Sequence, residues 1–153
     1  MKLPPFKLER IQSLYENSVF VNLTESGVEP LSLIELMSKE ELEELIKLPM
    51  GYGYTKGSPL LRKRISNLYK DCSEDNILVT SGSSEAILLT ALLTVSDTDK
   101  VVMMTPNYLS FNGIAESLGA AVDYVPLLKE DSWRWDIDYL KEVVVDETKV
   151  ISI

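Results

Sequence analysis

The sequence predicts an α/β fold with three layers, in which a mainly parallel β-sheet lies between two layers of α-helices. In residues 58–153, short apolar segments alternate with longer segments of helical periodicity. The apolar segments are nearly continuous, which is typical of strands that are buried on both faces of a sheet. The segments between them are long enough to form the helical crossovers that parallel strands require.

Residues 1–57 are predicted to form a short helical N-terminal segment that precedes the sheet and ends in a glycine-rich arm at 51–57. Its expected helices have bounds of 8–15, 31–37 and 38–48. Ser38 and Glu41 have the spacing of a capping box, which predicts the start of the last of these helices.

Residues 58–153 are predicted to form the first half of a sheet domain that is truncated at its C-terminus. Its expected strands are short apolar runs at 76–80, 100–105, 121–125 and 149–153. Its expected helices cover residues 59–69, 83–95, 109–118 and 136–145. Gly119 is placed to end the third of these helices as a C-terminal cap. Ligands of parallel sheets bind at the C-terminal strand ends, so the residues after 80 and 105 are the candidates for a site.

The composition excludes several classes of function. The 15 basic and 24 acidic residues give a net charge of −9, which argues against a nucleic-acid partner. The absence of histidine excludes Ser-His-Asp and Cys-His nucleophiles and histidine zinc sites. Cys72 is the only cysteine, so we expect neither an intrachain disulfide nor a cysteine metal cluster. The sequence therefore predicts no metal site.

The sequence also predicts a soluble, cytoplasmic protein with no membrane partner. Its N-terminus lacks the apolar run of a signal peptide, and no stretch approaches the roughly 20 apolar residues of a membrane span. The low cysteine content fits a reducing compartment.

A candidate anion-binding turn follows the first expected strand. Gly82, Ser83 and Ser84 form a small, hydroxyl-rich turn that opens directly into a helix. The free N–H groups and the positive dipole end of a helix suit a phosphate group. The alternative is that Ser81 or Ser83 merely caps the helix. The glycine motifs of dinucleotide-binding and P-loop domains are absent, which disfavours a nucleotide-binding domain.

Two tyrosines accompany this turn. Tyr108 follows the second expected strand and is therefore expected at the same sheet edge, where an aromatic ring can stack on a planar ligand. Tyr52 lies in the glycine-rich arm. The alternatives are a core tyrosine at position 108 and an ordinary surface loop around position 52.

The order of these motifs resembles that of the fold-type I pyridoxal-phosphate enzymes, and most closely the class I/II aminotransferases. The motifs are Tyr-x4-Gly-x3-Leu-Arg at 52–62, Thr-Ser-Gly-Ser-Ser-Glu-Ala at 80–86, and a strand followed by Pro-x-Tyr at 106–108. The resemblance extends from about residue 21 to residue 153. It implies that the sheet is part of the large domain of that fold, and that the cofactor is pyridoxal 5′-phosphate.

The resemblance also implies roles for individual residues. Gly82, Ser83 and Ser84 correspond to the residues that hold the cofactor phosphate, and Tyr108 corresponds to the aromatic residue that stacks on the pyridine ring. Tyr52 corresponds to the tyrosine that reaches the cofactor phosphate of the partner subunit, which implies a homodimer.

Ser26 and Gly27 lie where the N-terminal segment of the family lines the substrate site. The resemblance implies that no catalytic residue lies in this chain, because the Schiff-base lysine is expected beyond Ile153. We therefore expect the chain to be an N-terminal fragment that is inactive alone.

The predicted reaction of the full-length parent is the transfer of an amino group between an amino acid and a 2-oxo acid, in amino-acid metabolism and biosynthesis. One alternative is another fold-type I enzyme with the same cofactor, namely a lyase, decarboxylase or synthase. A further alternative is a non-catalytic α/β binding module.

Overall fold

The computed structural model describes residues 3–153, which form seven α-helices and three β-strands. The helices α1–α7 are Lys7–Tyr15, Leu33–Leu36, Lys39–Lys47, Pro59–Ser66, Ser83–Thr94, Ser110–Leu118 and Ile137–Val143. The strands β1–β3 are Lys100–Thr105, Ala121–Pro126 and Thr148–Ser152. A short 3₁₀ helix, Glu74–Asn76, precedes α5.

The chain is divided into two compact units. One unit is Leu14–Val79, which contains α2, α3, α4 and the 3₁₀ helix. The other contains residues 3–13 and Thr80–Ile153, and therefore holds α1 up to Ser13, the sheet and the helices α5–α7. The predicted boundary between residues 57 and 58 stays a prediction.

The three strands form one parallel sheet in the order β2-β1-β3, which confirms the predicted α/β class. The central strand β1 pairs on both sides, and its Val101 lies opposite Val122 of β2 and Val150 of β3. The relative exposures of Val101, Val102 and Met103 are 0%, 0% and 1%. Because successive side chains of a strand point to opposite faces, this continuous burial means that both faces of β1 are covered.

One face of β1 carries the hydrophobic core. Val101 and Met103 point into it from the strand, two residues apart as the strand period requires. The buried residues that pack with them come from α5, α6 and the turns that follow these helices: Ala91, Val95, Phe111, Ala115 and Ala120. The two helices are thereby held against the sheet, and their N-termini are placed relative to the end of β1.

The prediction of a strand over 76–80 is wrong. Residues 74–76 form the 3₁₀ helix, and residues 77–80 belong to neither a helix nor a strand. The backbone hydrogen bond described between this segment and a distant part of the chain runs from the Val79 N–H to the Lys56 carbonyl at 3.0 Å. A strand requires a neighbouring strand for its ladder, and an apolar run in the sequence does not specify that partner.

The predicted helix over 31–37 is shorter than expected, since α2 covers only Leu33–Leu36. Ser32 and Glu35 form a capping box that determines its first residue, a signal that the prediction missed. The predicted capping box at Ser38 is confirmed. Its Oγ accepts the Glu41 N–H at 3.2 Å, and the Glu41 carboxylate accepts the Ser38 N–H at 2.8 Å.

Gly119 ends α6, as predicted. Its φ of 98° and ψ of 0° are left-handed, which is the conformation that commonly follows the last turn of a helix. A Cβ atom at this position would lie 2.9 Å from the Cβ of Asp97. The position therefore excludes a side chain both by its dihedral angles and by the space around it.

We predict that Gly119→Ala lowers the free energy of unfolding by about 1–2 kcal/mol, because alanine is strained in a left-handed conformation. The measurement is urea denaturation of the protein. The matched control is Gly113→Ala in the same helix, whose added Cβ would approach Pro4 Cγ only to 3.5 Å. This control should be neutral or should stabilise by up to about 1 kcal/mol. Equal midpoints for the two variants would contradict the prediction.

Candidate functional site

The turn before α5 is shaped by its glycine. Gly82 is the N-cap residue of the helix, with φ 84° and ψ 171°, a combination that side-chain-bearing residues rarely adopt. The Gly82 N–H donates to the Thr80 carbonyl at 2.9 Å, and Thr80 Oγ1 donates to the Gly82 carbonyl at 2.9 Å. Ser81 donates its N–H to the Glu85 carboxylate. These bonds hold the turn in a single conformation.

The first turn of α5 has the donor groups that a phosphate requires. No side chain among the described residues caps this helix, so the alternative that Ser81 or Ser83 is the N-cap residue is wrong. The backbone N–H groups at the start of the helix are free of capping side chains, and Ser83 and Ser84 are exposed there. Nothing in the described chain lies within 4 Å of a Cβ built on Gly82. The donor set and the open space fit a phosphate group.

Tyr108 lies beside this turn. The Ser84 hydroxyl lies close enough to the Tyr108 phenol to lower its pKa, so the structure brings together two residues that are 24 positions apart in the sequence. Its side chain is 42% exposed, which excludes the alternative of a core tyrosine. An aromatic face next to a phosphate-binding turn is suited to a ligand that carries both a planar ring and a phosphate.

The N-terminal helix α1 supplies a carboxylate to this site. The Tyr108 hydroxyl donates a hydrogen bond to Glu9 Oε1 at 2.6 Å. The Phe6 ring packs edge-on against the Tyr108 ring, with centroids 4.9 Å apart and planes at 75°. Sequence analysis identified neither residue. The hydrogen-bond partners are 99 positions apart, and no local pattern links them.

The electrostatics of Tyr108 follow from these contacts. The hydrogen bond to the Glu9 carboxylate, partial burial and the negative charge of Glu9 raise the pKa of the Tyr108 phenol above its ordinary value. The hydrogen bond from Ser84 lowers this pKa but is the smallest contribution. Tyr108 is therefore a neutral phenol at physiological pH. A neutral ring can lie beside an anionic ligand without charge repulsion.

The remaining candidate residues lie in the unit Leu14–Val79. The Tyr52 side chain is fully exposed. Ser26 is also exposed, and the Gly27 N–H donates to the carboxylate of Glu25 at 2.7 Å. The roles of these three residues stay predictions.

The residues that the structure describes provide neither a metal site nor a membrane-spanning helix. Residues 3–153 contain no group of three or more acidic, cysteine or histidine side chains that is arranged to hold a metal ion. None of the helices described is long and apolar enough to cross a membrane.

Comparison with known proteins gives a family match and relatives of similar sequence. The family model for aminotransferase class I and II matches residues 20–153. A probable aspartate aminotransferase of Methanocaldococcus jannaschii is 30% identical over 105 residues, which cover 65% of this chain and 28% of that protein. Capreomycidine synthase of Streptomyces vinaceus is 29% identical over 136 residues, covering 86% of this chain and 35% of that protein.

A solved structure shows the same fold. A PLP-dependent aminotransferase from Streptococcus suis has a TM-score of 0.89 and 31% sequence identity, over 99% of this chain and 42% of the other chain. The chain therefore spans between 28% and 42% of the length of these three relatives.

Proposed function

The chain belongs to the aminotransferase class I and II family, and we propose that it is the N-terminal part of a pyridoxal-phosphate enzyme. Its proposed reaction is the transfer of an amino group from an amino acid to a 2-oxo acid. The observation that carries the proposal is the uncapped N-terminus of α5 with its exposed Ser83 and Ser84, which lies close to the exposed aromatic ring of Tyr108.

The turn before α5 is the proposed phosphate site. When bound, pyridoxal phosphate supplies the electron sink for the reaction, while the protein binds and orients it. The N–H groups at the start of α5 donate to the phosphate, and the positive end of the helix dipole attracts its charge. Ser83 and Ser84 lie in the first helical turn and complete the donor set. Gly82 provides the backbone conformation that exposes these groups.

Tyr108 is the proposed stacking residue for the pyridine ring. The closeness of the Tyr108 phenol to Ser84 supports this role, because one small cofactor with a ring and a phosphate could then contact both residues. The phenol is neutral and hydrogen-bonded at its far end, so it presents an uncharged face to the ring.

We further propose a homodimer in which Tyr52 reaches the phosphate site of the partner subunit. The unit Leu14–Val79 supports this proposal because many of its large apolar side chains are exposed. Four of the most exposed are Phe20, Leu23, Val28 and Met50, each at 90% or more. Large exposed apolar surfaces mark interaction sites. In the same proposal Ser26 and Gly27 line the substrate site, and the enzyme serves amino-acid biosynthesis in the cytoplasm.

A second candidate is another reaction with the same cofactor. The match to capreomycidine synthase covers more of this chain than the match to the probable aspartate aminotransferase, at 86% against 65%. The proposed binding roles of Ser84 and Tyr108 are the same for both candidates. An assay of the full-length protein with an amino acid and a 2-oxo acid distinguishes the two candidate reactions. Only a transaminase converts the 2-oxo acid into the corresponding amino acid.

We predict that Ser84→Asp weakens the binding of pyridoxal phosphate to the full-length protein by at least about tenfold, because it places a carboxylate against the phosphate. Titration followed by cofactor absorbance measures the affinity. The control Ser132→Asp adds the same charge in the turn after β2 and should leave the affinity unchanged. Unchanged binding by Ser84→Asp would refute the assignment of the phosphate site.

We predict that Tyr52→Phe weakens cofactor retention without unfolding the subunit. Mixed dimers provide the sharper test. If each site combines Ser84 of one subunit with Tyr52 of the other, a dimer of one Ser84→Asp and one Tyr52→Phe subunit contains one intact site. Mixed dimers, purified after co-expression of the two variants, should therefore have one active site of their two, whereas each homodimer has none intact. A full-length protein that sediments as a fully active monomer would exclude the shared site.

We predict that the 153-residue chain alone does not catalyse amino-group transfer. The lysine that the family links to the cofactor is expected beyond Ile153. Lys100 lies at the start of β1, the opposite end from the proposed site, and its ammonium binds Asp123 and the Val143 carbonyl. The measurement is borohydride reduction with pyridoxal phosphate, followed by mass spectrometry. A single stoichiometric lysine adduct together with turnover of an amino acid would contradict the prediction.

A further inference from the structure

The contact between α1 and Tyr108 joins two distant parts of the sequence inside one compact unit. Glu9 and Phe6 belong to residues 3–13, which are grouped with Thr80–Ile153 rather than with the residues that directly follow them. Each end of the Tyr108 side chain has a contact from this segment. The hydroxyl is bonded to Glu9, and the ring packs against Phe6.

These contacts restrict a side chain that would otherwise be mobile. Tyr108 is 42% exposed, and a half-exposed aromatic ring without partners samples several rotamers. A hydrogen bond at the hydroxyl and a perpendicular ring at the side leave it one orientation. The Ser84 hydroxyl lies close enough to this phenol to lower its pKa, so the orientation also determines where the ring lies relative to the start of α5.

We propose that Glu9 is a positioning residue of the cofactor site, whose carboxylate holds the Tyr108 ring beside the phosphate-binding turn. The proposal rests on the proposed function, since it gives a role to a residue outside the motifs that identify the family. It also makes the N-terminal helix α1 part of the site. Glu9 acts through Tyr108 and touches no reacting atom.

The Tyr108 hydroxyl donates its hydrogen bond to the Glu9 carboxylate. A carboxylate only accepts hydrogen bonds, so it fixes the proton of the phenol on the side of Glu9. The described groups that face the phenol are Glu9 from α1 and Ser84 from α5, together with the apolar ring of Phe6.

Cofactor affinity should depend on pH through the ionisation of Tyr108. Glu9 raises the pKa of Tyr108, so the wild-type phenol stays neutral to a higher pH than an isolated tyrosine. Above this pKa a phenolate would repel both the Glu9 carboxylate and a bound phosphate. Removal of the Glu9 charge lowers the pKa, so cofactor binding should weaken at a lower pH in Glu9→Gln than in the wild type.

The experiment uses the full-length protein and pyridoxal phosphate. The variants are Glu9→Ala and Glu9→Gln, each made in the wild-type and the Tyr108→Phe backgrounds. The matched control is Glu16→Gln, which makes the same chemical change just after the end of α1. The first readout is cofactor affinity as a function of pH. The second is the pKa of Tyr108, obtained by titrating the tyrosinate absorbance of each variant and subtracting the titration of its Tyr108→Phe counterpart.

We expect Glu9→Ala to weaken cofactor binding about fivefold, the effect of one lost hydrogen bond, and to have no such effect when Tyr108 is already phenylalanine. We expect Glu9→Gln to lower the pKa of Tyr108 and to retain most of the affinity at neutral pH. The control should match the wild type in both readouts. Circular dichroism confirms folding, and where Glu9→Ala fails to fold, the isosteric Glu9→Gln variant decides.

Three outcomes would overturn the proposal. An equal loss of affinity in the two backgrounds would show that Glu9 does not act through Tyr108. Unchanged affinity and an unchanged pKa of Tyr108 would show that the contact has no role. If the wild type binds no pyridoxal phosphate, both the proposed function and the role of Glu9 are wrong. In that case the titration still reports whether Glu9 and Tyr108 interact.

Discussion

The rest of the structure depends on the burial of β1 between two parallel neighbours. Its three consecutive residues Val101, Val102 and Met103 are removed from water, which is possible only when both strand edges and both faces are covered. The hydrophobic contacts of one face hold α5 and α6 in place. Since Tyr108 lies between the end of β1 and the start of α6, the same burial that stabilises the fold also places the candidate site at its edge.

The site is assembled from groups that are individually ordinary. An uncapped helix N-terminus, two serines and a tyrosine occur in many proteins, and none of them alone identifies a ligand. They indicate a cofactor site because Tyr108 lies close to the start of α5, and because the chain belongs to the aminotransferase class I and II family. The Glu9 carboxylate adds a constraint on the side chain, because it raises the pKa of the Tyr108 phenol and accepts its hydrogen bond.

The two units differ in how much they bury. The unit with the sheet contains the core, whereas Ser66 is the one buried residue described in Leu14–Val79. Local hydrogen bonds, including the capping boxes at Ser32 and Ser38, support the helices of that second unit. Such bonds satisfy the helix ends but cover little apolar surface, so this unit depends on further contacts to remove its apolar side chains from water.

The sequence by itself determined the features that have a local physical cause. The apolar runs predicted all three strands of the sheet, Ser38 and Glu41 predicted the start of α3, and Gly119 predicted the end of α6. The residues of the turn before α5 and Tyr108 were found from their positions after expected strands. Only the tertiary structure decided that residues 77–80 lack a ladder partner within the described chain, and that Glu9 bonds to Tyr108 across 99 positions. Pairing partners and contacts of this kind depend on where the chain returns in space, which no local pattern of residue types specifies.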